Sequence, residues 1–216
     1  SALATHAAKA SADDAGIKST DIDHMVWGNV LPVDPDGYYV GRVAGLNIGM
    51  PETSCALQVN RACGSGTQAI ITAAQQILTG HGEIALAGGG ENFSRGGFVN
   101  QKMRWGVVRG SQAFEDSVEW AYNDPFGHGL MGVTAENLAD DYQYQRDEMD
   151  EWSLMSQQRA GAAMHSGFLS RQITPIEVPE GRKSTRIMEH DEFPRPDVSA
   201  DKLGKLKPVF RKDGKV

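Results

Sequence analysis

Between Ala2 and Ala15 small apolar residues recur with few breakers, a helix-forming composition that stops at Gly16. His24 to Val30 is a short apolar run that reads as a buried strand, closed by Pro32, Pro35 and Gly37. A second helix is predicted from Tyr39 to Leu46. Thr53 to Gly66 then reads as a short strand, a sharp turn and the start of a long helix. That helix carries Ala69, Ile70, Ile71, Ala73, Ala74, Ile77 and Leu78, so it is apolar nearly all round and is predicted to lie buried between two layers, ending at Gly80. Glu83 to Glu91 is a continuous apolar run closed by three glycines, the pattern of a parallel strand completing a β-α-β unit.

Beyond Asn92 the character changes. Glycine, aromatic and polar residues give no steady period as far as Pro125, whereas Thr134 to Tyr144 and Asp147 to His165 read as helices. Met149, Trp152 and Met155 recur at threefold spacing and continue through Ala160, Ala163 and Met164, a stripe expected to face a core. Gln145 precedes this helix, and the cap is predicted at Asp147. The chain is accordingly divided into residues 1–92, an α/β half, and residues 93–216, a mainly helical domain.

Composition narrows the classes. With 40% apolar residues in 216, the chain can build a globular core. A net charge of −7 argues against a general nucleic-acid binder, which needs a surplus of basic residues. No apolar run reaches the roughly 18 residues of a membrane span, and no signal peptide is evident. Cys55 and Cys63 are the only cysteines and sit too close in sequence for a framework disulfide, which points to a reducing compartment. From Glu180 to Val216 the balance inverts: ten basic residues stand against seven acidic ones. Such a surface raises the local concentration of a phosphorylated ligand.

The chemistry gathers at Cys63. It sits at the turn after a parallel strand, where open α/β sheets place their ligands. Gly64 and Gly66 flank Ser65 and allow positive φ or close approach, and the helix that follows aims its free N–H groups back at the sulfur. A cysteine so placed is favoured as a nucleophilic thiolate. A base is less easily found. His6, His81, His165 and His190 are accounted for by surface or loop positions, His24 begins a strand, and His128 lies in a loop before Met131. No metal-ligand spacing occurs, and the glycines of 88–90 lack the spacing of a dinucleotide fingerprint.

Four segments resemble the thiolase family in the family's own order: Asn60-Arg61-Ala62-Cys63-Gly64-Ser65-Gly66, Ala87-Gly88-Gly89-Gly90-Glu91-Asn92, Met131-Gly132-Val133-Thr134-Ala135-Glu136-Asn137, and Lys205-Leu206-Lys207-Pro208-Val209-Phe210. Together they cover nearly the whole chain. The resemblance implies a layered α-β-α-β-α fold with an inserted loop domain, and an acyl-CoA acyltransferase that condenses acyl-CoA units or thiolyses 3-ketoacyl-CoA, with coenzyme A as substrate and no covalently bound cofactor. It implies that Cys63 is acylated, that Met131 lines the acyl pocket, and that Arg195 in Asp191-Glu192-Phe193-Pro194-Arg195 contacts the nucleotide part of CoA. The chain departs from the commoner pattern at Ser184, at Leu130 where relatives often carry histidine, and in the prolines flanking Arg195.

Further expectations follow from the same resemblance. The family's activating histidine and second catalytic cysteine come from a C-terminal half whose motifs are absent from these residues, so the 216 residues are expected to be inactive alone. The family's first strand is taken to lie centrally, so the sheet is expected to lack its middle and one edge. A homo-oligomer, dimer or tetramer, is implied, and a cytoplasmic location, or a mitochondrial or peroxisomal one if a leader precedes Ser1. The alternatives are a 3-ketoacyl synthase, which shares the fold and the acylated cysteine but lacks the inserted domain, and a non-catalytic thiolase-like protein that binds acyl-CoA.

Overall fold

A computed structural model describes residues 1–216, which divide into two compact units, Ser1–Ala121 and Tyr122–Val216. The first is built on β1 (His24–Gly28), the middle strand of a three-stranded parallel sheet in the order β2-β1-β3, with β2 at Cys55–Val59 and β3 at Ala85–Gly89. Alternate side chains of a strand leave on opposite faces. Met25 and Trp27 accordingly pack into a core formed with α1 (Ala2–Asp14) and α2 (Val40–Asn47), while Val26 joins Ala69 and Ala73 of α3 (Ser65–Leu78). A strand buried on both faces is why His24 to Val30 reads as an unbroken apolar run.

The gap expected in the middle of the sheet is absent. β1 pairs in parallel with β2 along one edge and β3 along the other, so its backbone groups are satisfied and no strand is missing between them. Pairing order is a long-range property that the sequence pattern does not carry. The prediction that α3 is buried all round also fails. Its buried residues are Ser65, Ala69, Thr72 and Ala73, whereas Ile70 is 63% and Leu78 84% exposed. Within this unit only the sheet covers the helix, and one layer can bury only one face.

The register is flush: His24 stands opposite Cys55 and Ala85, and Gly28 opposite Val59 and Gly89. The amino ends are tied by Asp23, whose carboxylate accepts from the amides of Glu83 (2.8 Å) and Ile84 (3.1 Å). Those two amides, Glu83 first, hold the Asp23 carboxyl below its ordinary range. Its stabilising share is therefore present at neutral pH and lost as pH falls through the lowered folded-state value. The segment 93–121 belongs with this unit rather than with the residues after it. Arg95 pairs with Asp34 at 3.2 Å, and the short strands β4 (Phe98–Val99) and β5 (Glu115–Asp116) pair with each other before α4 (Ser117–Tyr122).

The second unit contains the paired β6 (Asn123–Asp124) and β7 (Gly129–Leu130), helices α5 (Met131–Asp141) and α6 (Arg146–His165), the hairpin of β8 (Ile176–Glu180) and β9 (Ser184–Met188), and α7 (Ala200–Leu203). Gln145, not Asp147, caps α6: its amide donates to Glu148 Oε2 at 2.7 Å, the reaching-back half of a capping box. The stripe on α6 is only partly a core, with Met149 and Met155 half-buried and Trp152 68% exposed; Gly161 is the one buried residue of the helix. The firmest anchor is Glu136 of α5, 1% exposed, whose carboxylate accepts from the amides of Lys215 (2.9 and 3.0 Å) and Val216 (2.9 Å). Arg211 adds bonds to Asp140 (2.7 Å) and Asn137. The motifs at 131–137 and 205–210 meet at Gly132, where an added Cβ would run into the Phe210 ring. No helix is long and apolar enough to cross a membrane.

Candidate active site

Cys63 follows β2 on a turn whose neighbouring backbone groups, the amides of Arg61, Ala62, Gly64 and Ser65, are all bonded. Asn60 Oδ1 accepts from the Ala62 amide at 3.1 Å, and the Gly64 amide donates to Arg61 O at 3.0 Å. Ser65, 6% exposed, ties both ends: its Oγ accepts from the Arg61 amide (2.9 Å) and donates to Ala62 O (2.6 Å), while its own amide also donates to Ala62 O (3.1 Å). Ala62 is held at φ +47°. A non-glycine residue in that region is strained, and it persists because these bonds over-determine it.

The glycines play a different part from the one predicted. Gly64 has φ −85°, and Gly66 is not among the positive-φ residues. The left-handed residue is the alanine immediately before the cysteine. The close approach is made instead by glycines on the strands below. A Cβ built on Gly28 would lie 2.8 Å from the carbonyl carbon and oxygen of Ser65, and one on Gly89 would lie 3.1 Å from Gly28 O and 3.6 Å from Gly66 Cα. The first turn of α3 rests directly on the backbone of β1 and β3, which sets the height of Cys63 above the sheet. Gly28→Ala is therefore expected to lift that turn, lowering stability by about 1–3 kcal/mol and slowing alkylation of Cys63. Thermal melts and alkylation rates both equal to wild type would refute the seat.

Cys63 is exposed and no side chain caps α3, so beyond the Ser65 amide, which Ala62 O engages, the N–H groups opening the helix meet no capping side chain. Around it the carboxyl-end loops of all three strands are joined. Asn29, 7% exposed, donates from Nδ2 to Gly90 O (3.0 Å) and Glu91 Oε2 (3.1 Å), and Glu91 accepts from the amides of Val30 and of Leu31 (3.2 Å). Asn60 Nδ2 reaches Val30 O at 3.4 Å. Sequence reasoning passed over Asn29, Ser65 and Glu91. The available signal was the polar residue just past each strand, Asn29 and Asn60 directly after β1 and β2 and Glu91 two residues after β3, at the end where a parallel sheet builds its sites.

None of the histidines of this unit serves Cys63. His24 opens β1 at the other end of the sheet, His6 lies on α1, and His81 follows the far end of α3, bonded to Thr79 Oγ1 at 2.9 Å. Met131 and Arg195 lie in the second unit. Met131 is the first residue of α5 and is 51% exposed. Arg195 is exposed, and its amide donates to Gln157 Oε1 of α6 at 2.7 Å. His128 precedes Met131 on the same segment, its amide bonded to Asp124 Oδ2 at 3.0 Å. The structure thus places the two CoA-site candidates in one unit and the cysteine in the other.

Known proteins resemble this chain over nearly its whole length. The family described as thiolase, N-terminal domain, matches residues 1–216. The beta-ketothiolase BktB of Cupriavidus necator is 43% identical over 199 residues, 92% of this chain and 50% of the relative. The mitochondrial 3-ketoacyl-CoA thiolase of Homo sapiens is 38% identical over 215 residues, 99% of this chain and 54% of the relative. The chain therefore spans about half the length of the curated relatives it matches. Crystal structures of the human mitochondrial 3-ketoacyl-CoA thiolase superpose with TM-scores of 0.91 and, for the one in complex with CoA, 0.90, at 37% identity over 98% of this chain and 53% of theirs. The acetyl-CoA acetyltransferase of Bacillus anthracis superposes at 0.91, with 37% identity over 99% of this chain and 54% of its own.

Proposed function

The chain belongs to the thiolase family, and from that premise we propose that the protein is an acyl-CoA acyltransferase that carries its acyl group on Cys63. The observation that carries the proposal is the exposed cysteine on a rigid turn at the start of α3. The Cys63 thiolate attacks the carbonyl carbon of an acyl-CoA or a 3-ketoacyl-CoA, and the tetrahedral oxyanion is stabilised by the Cys63 amide together with the opening of α3. Collapse breaks the bond to the CoA sulfur or, in thiolysis, to the carbon between the carbonyls, leaving an acyl thioester on Cys63. In the second step CoA thiolate, or the enolate of a second acyl-CoA, takes the acyl group and frees the sulfur. The proton transfers are assigned to no side chain of these 216 residues, in keeping with the family's histidine and second cysteine, whose motifs are not among them.

Arg195 and the basic stretch 180–216 pair with the phosphates of the CoA nucleotide, and Met131 lies against the acyl end. The protein works as a homo-oligomer, as its resemblance implies. The test uses the two thiols. Both are exposed, so alkylation by iodoacetamide reads reactivity rather than access. In the protein produced from its complete reading frame, peptide mapping is expected to find Cys63 labelled well before Cys55, and prior incubation with an acyl-CoA to protect Cys63 alone, reversibly with hydroxylamine. Faster labelling of Cys55, or no protection, would sink the assignment.

A further inference from the structure

Arg195 is held by its backbone on several counts while its side chain is left exposed. Pro194 and Pro196 flank it, and the residue before a proline is confined to the extended region. Its amide donates to Gln157 Oε1 (2.7 Å) and its carbonyl accepts from the Val198 amide (3.1 Å). One turn along α6 from Gln157 is Gly161, buried, and a Cβ there would fall 2.5 Å from Pro196 Cβ. Proline is rigid, so that contact cannot be relieved by rotating a side chain. Gly161 is a notch in the helix that receives Pro196, and Gln157 holds the other side of the arginine. The guanidinium makes no hydrogen bond; the nearby Asp197 is engaged by Lys202, at 3.2 Å, and it is Lys202 first that holds the Asp197 carboxyl low, with Arg195 the smallest contributor.

We infer that the Gln157–Gly161 face of α6 is a positioning cradle for Arg195, and that it sets how much the nucleotide end of CoA contributes to binding. A preorganised side chain loses less conformational freedom when it meets a phosphate, which is how a rigid backbone raises affinity without touching the ligand. A glycine in mid-helix otherwise only weakens the helix. The inference rests on Arg195 binding CoA, as proposed above.

Gly161→Ala separates positioning from mere structure. Alanine is the better helix former, so a purely structural role predicts an unchanged or higher melting temperature and unchanged ligand binding. The cradle requires displacement of Pro196 and Arg195. The experiment measures calorimetric binding of CoA and of pantetheine, which lacks the nucleotide, to the protein produced from its complete reading frame, as wild type, Gly161→Ala, Arg195→Ala and the double variant. Gly161→Ala is expected to weaken CoA binding about five- to tenfold, a part of the roughly ten- to hundredfold that a whole charge-assisted hydrogen bond supplies, with pantetheine unaffected and the double variant no weaker than Arg195→Ala. If Arg195→Ala discriminates between CoA and pantetheine but Gly161→Ala does not, the cradle is refuted and the arginine assignment stands. If Gly161→Ala weakens both ligands alike, the cradle is refuted as general damage. If Arg195→Ala itself fails to discriminate, both readings fall.

Discussion

Cys63→Ala, in the protein produced from its complete reading frame, is expected to reduce acyl transfer by about a thousandfold or more, because the covalent route disappears with its nucleophile. The substitution should leave the turn intact. The bonds that hold it run through Asn60, Arg61, Ala62, Gly64 and Ser65, none through the cysteine side chain. CoA affinity and the melting temperature are therefore expected to match wild type, while turnover and acyl-thioester formation vanish. Thiolysis of acetoacetyl-CoA at more than about a thousandth of the wild-type rate would mean that another group attacks the carbonyl.

Glu136→Ala should give the largest loss of stability in the second unit. The carboxylate is buried and accepts the amides of Lys215 and Val216, so removing it leaves two donors without a partner. Hydrogen bonds to a charged group contribute more than neutral ones, and the pair together are expected to cost about 2–4 kcal/mol. Besides the Arg211–Asn137 hydrogen bond, the remaining ion pairs of this segment, Arg211 to Asp140 and Lys215 to Asp140 (3.8 Å), are more exposed and of the kind that contributes little. Tryptic cleavage after Arg211 and Lys212 should accelerate in the variant, together with a lower melting temperature. Equal proteolysis and equal melting would show that Glu136 does not anchor the segment.

The element order and the position of the cysteine were legible because they follow from local pattern. The α1, α2, β1, β2 and β3 segments each carry a composition or a period that one packing environment explains, and the turn at 60–66 sits between a strand and a helix in the sequence itself. What escaped is long-range. That β1 pairs with both neighbours depends on residues 31 and 61 positions away, Cys55 and Ala85 opposite His24, and the exposure of Ile70 and Leu78 depends on what lies against α3 rather than on its composition. At the site, glycines 64 and 66 drew attention to backbone freedom, yet the strain is on Ala62 and the close contact on Gly28 and Gly89. A glycine in a strand signals that something comes near, without saying what. Gly161 was overlooked for the same reason, since nothing in the helix pattern points 35 residues ahead to Pro196.

The Glu136 anchor also has a consequence for synthesis. Its partners, Lys215 and Val216, lie 79 and 80 residues further along the chain. At a translation rate of about 5–20 residues per second, roughly 4–16 seconds separate emergence of the carboxylate from emergence of the amides it will bind. During that interval α5 carries a carboxylate destined for burial and lacks the segment that covers it. The Glu136 contact therefore forms only after residues 215 and 216 have left the ribosome, and until then water occupies the place of those amides.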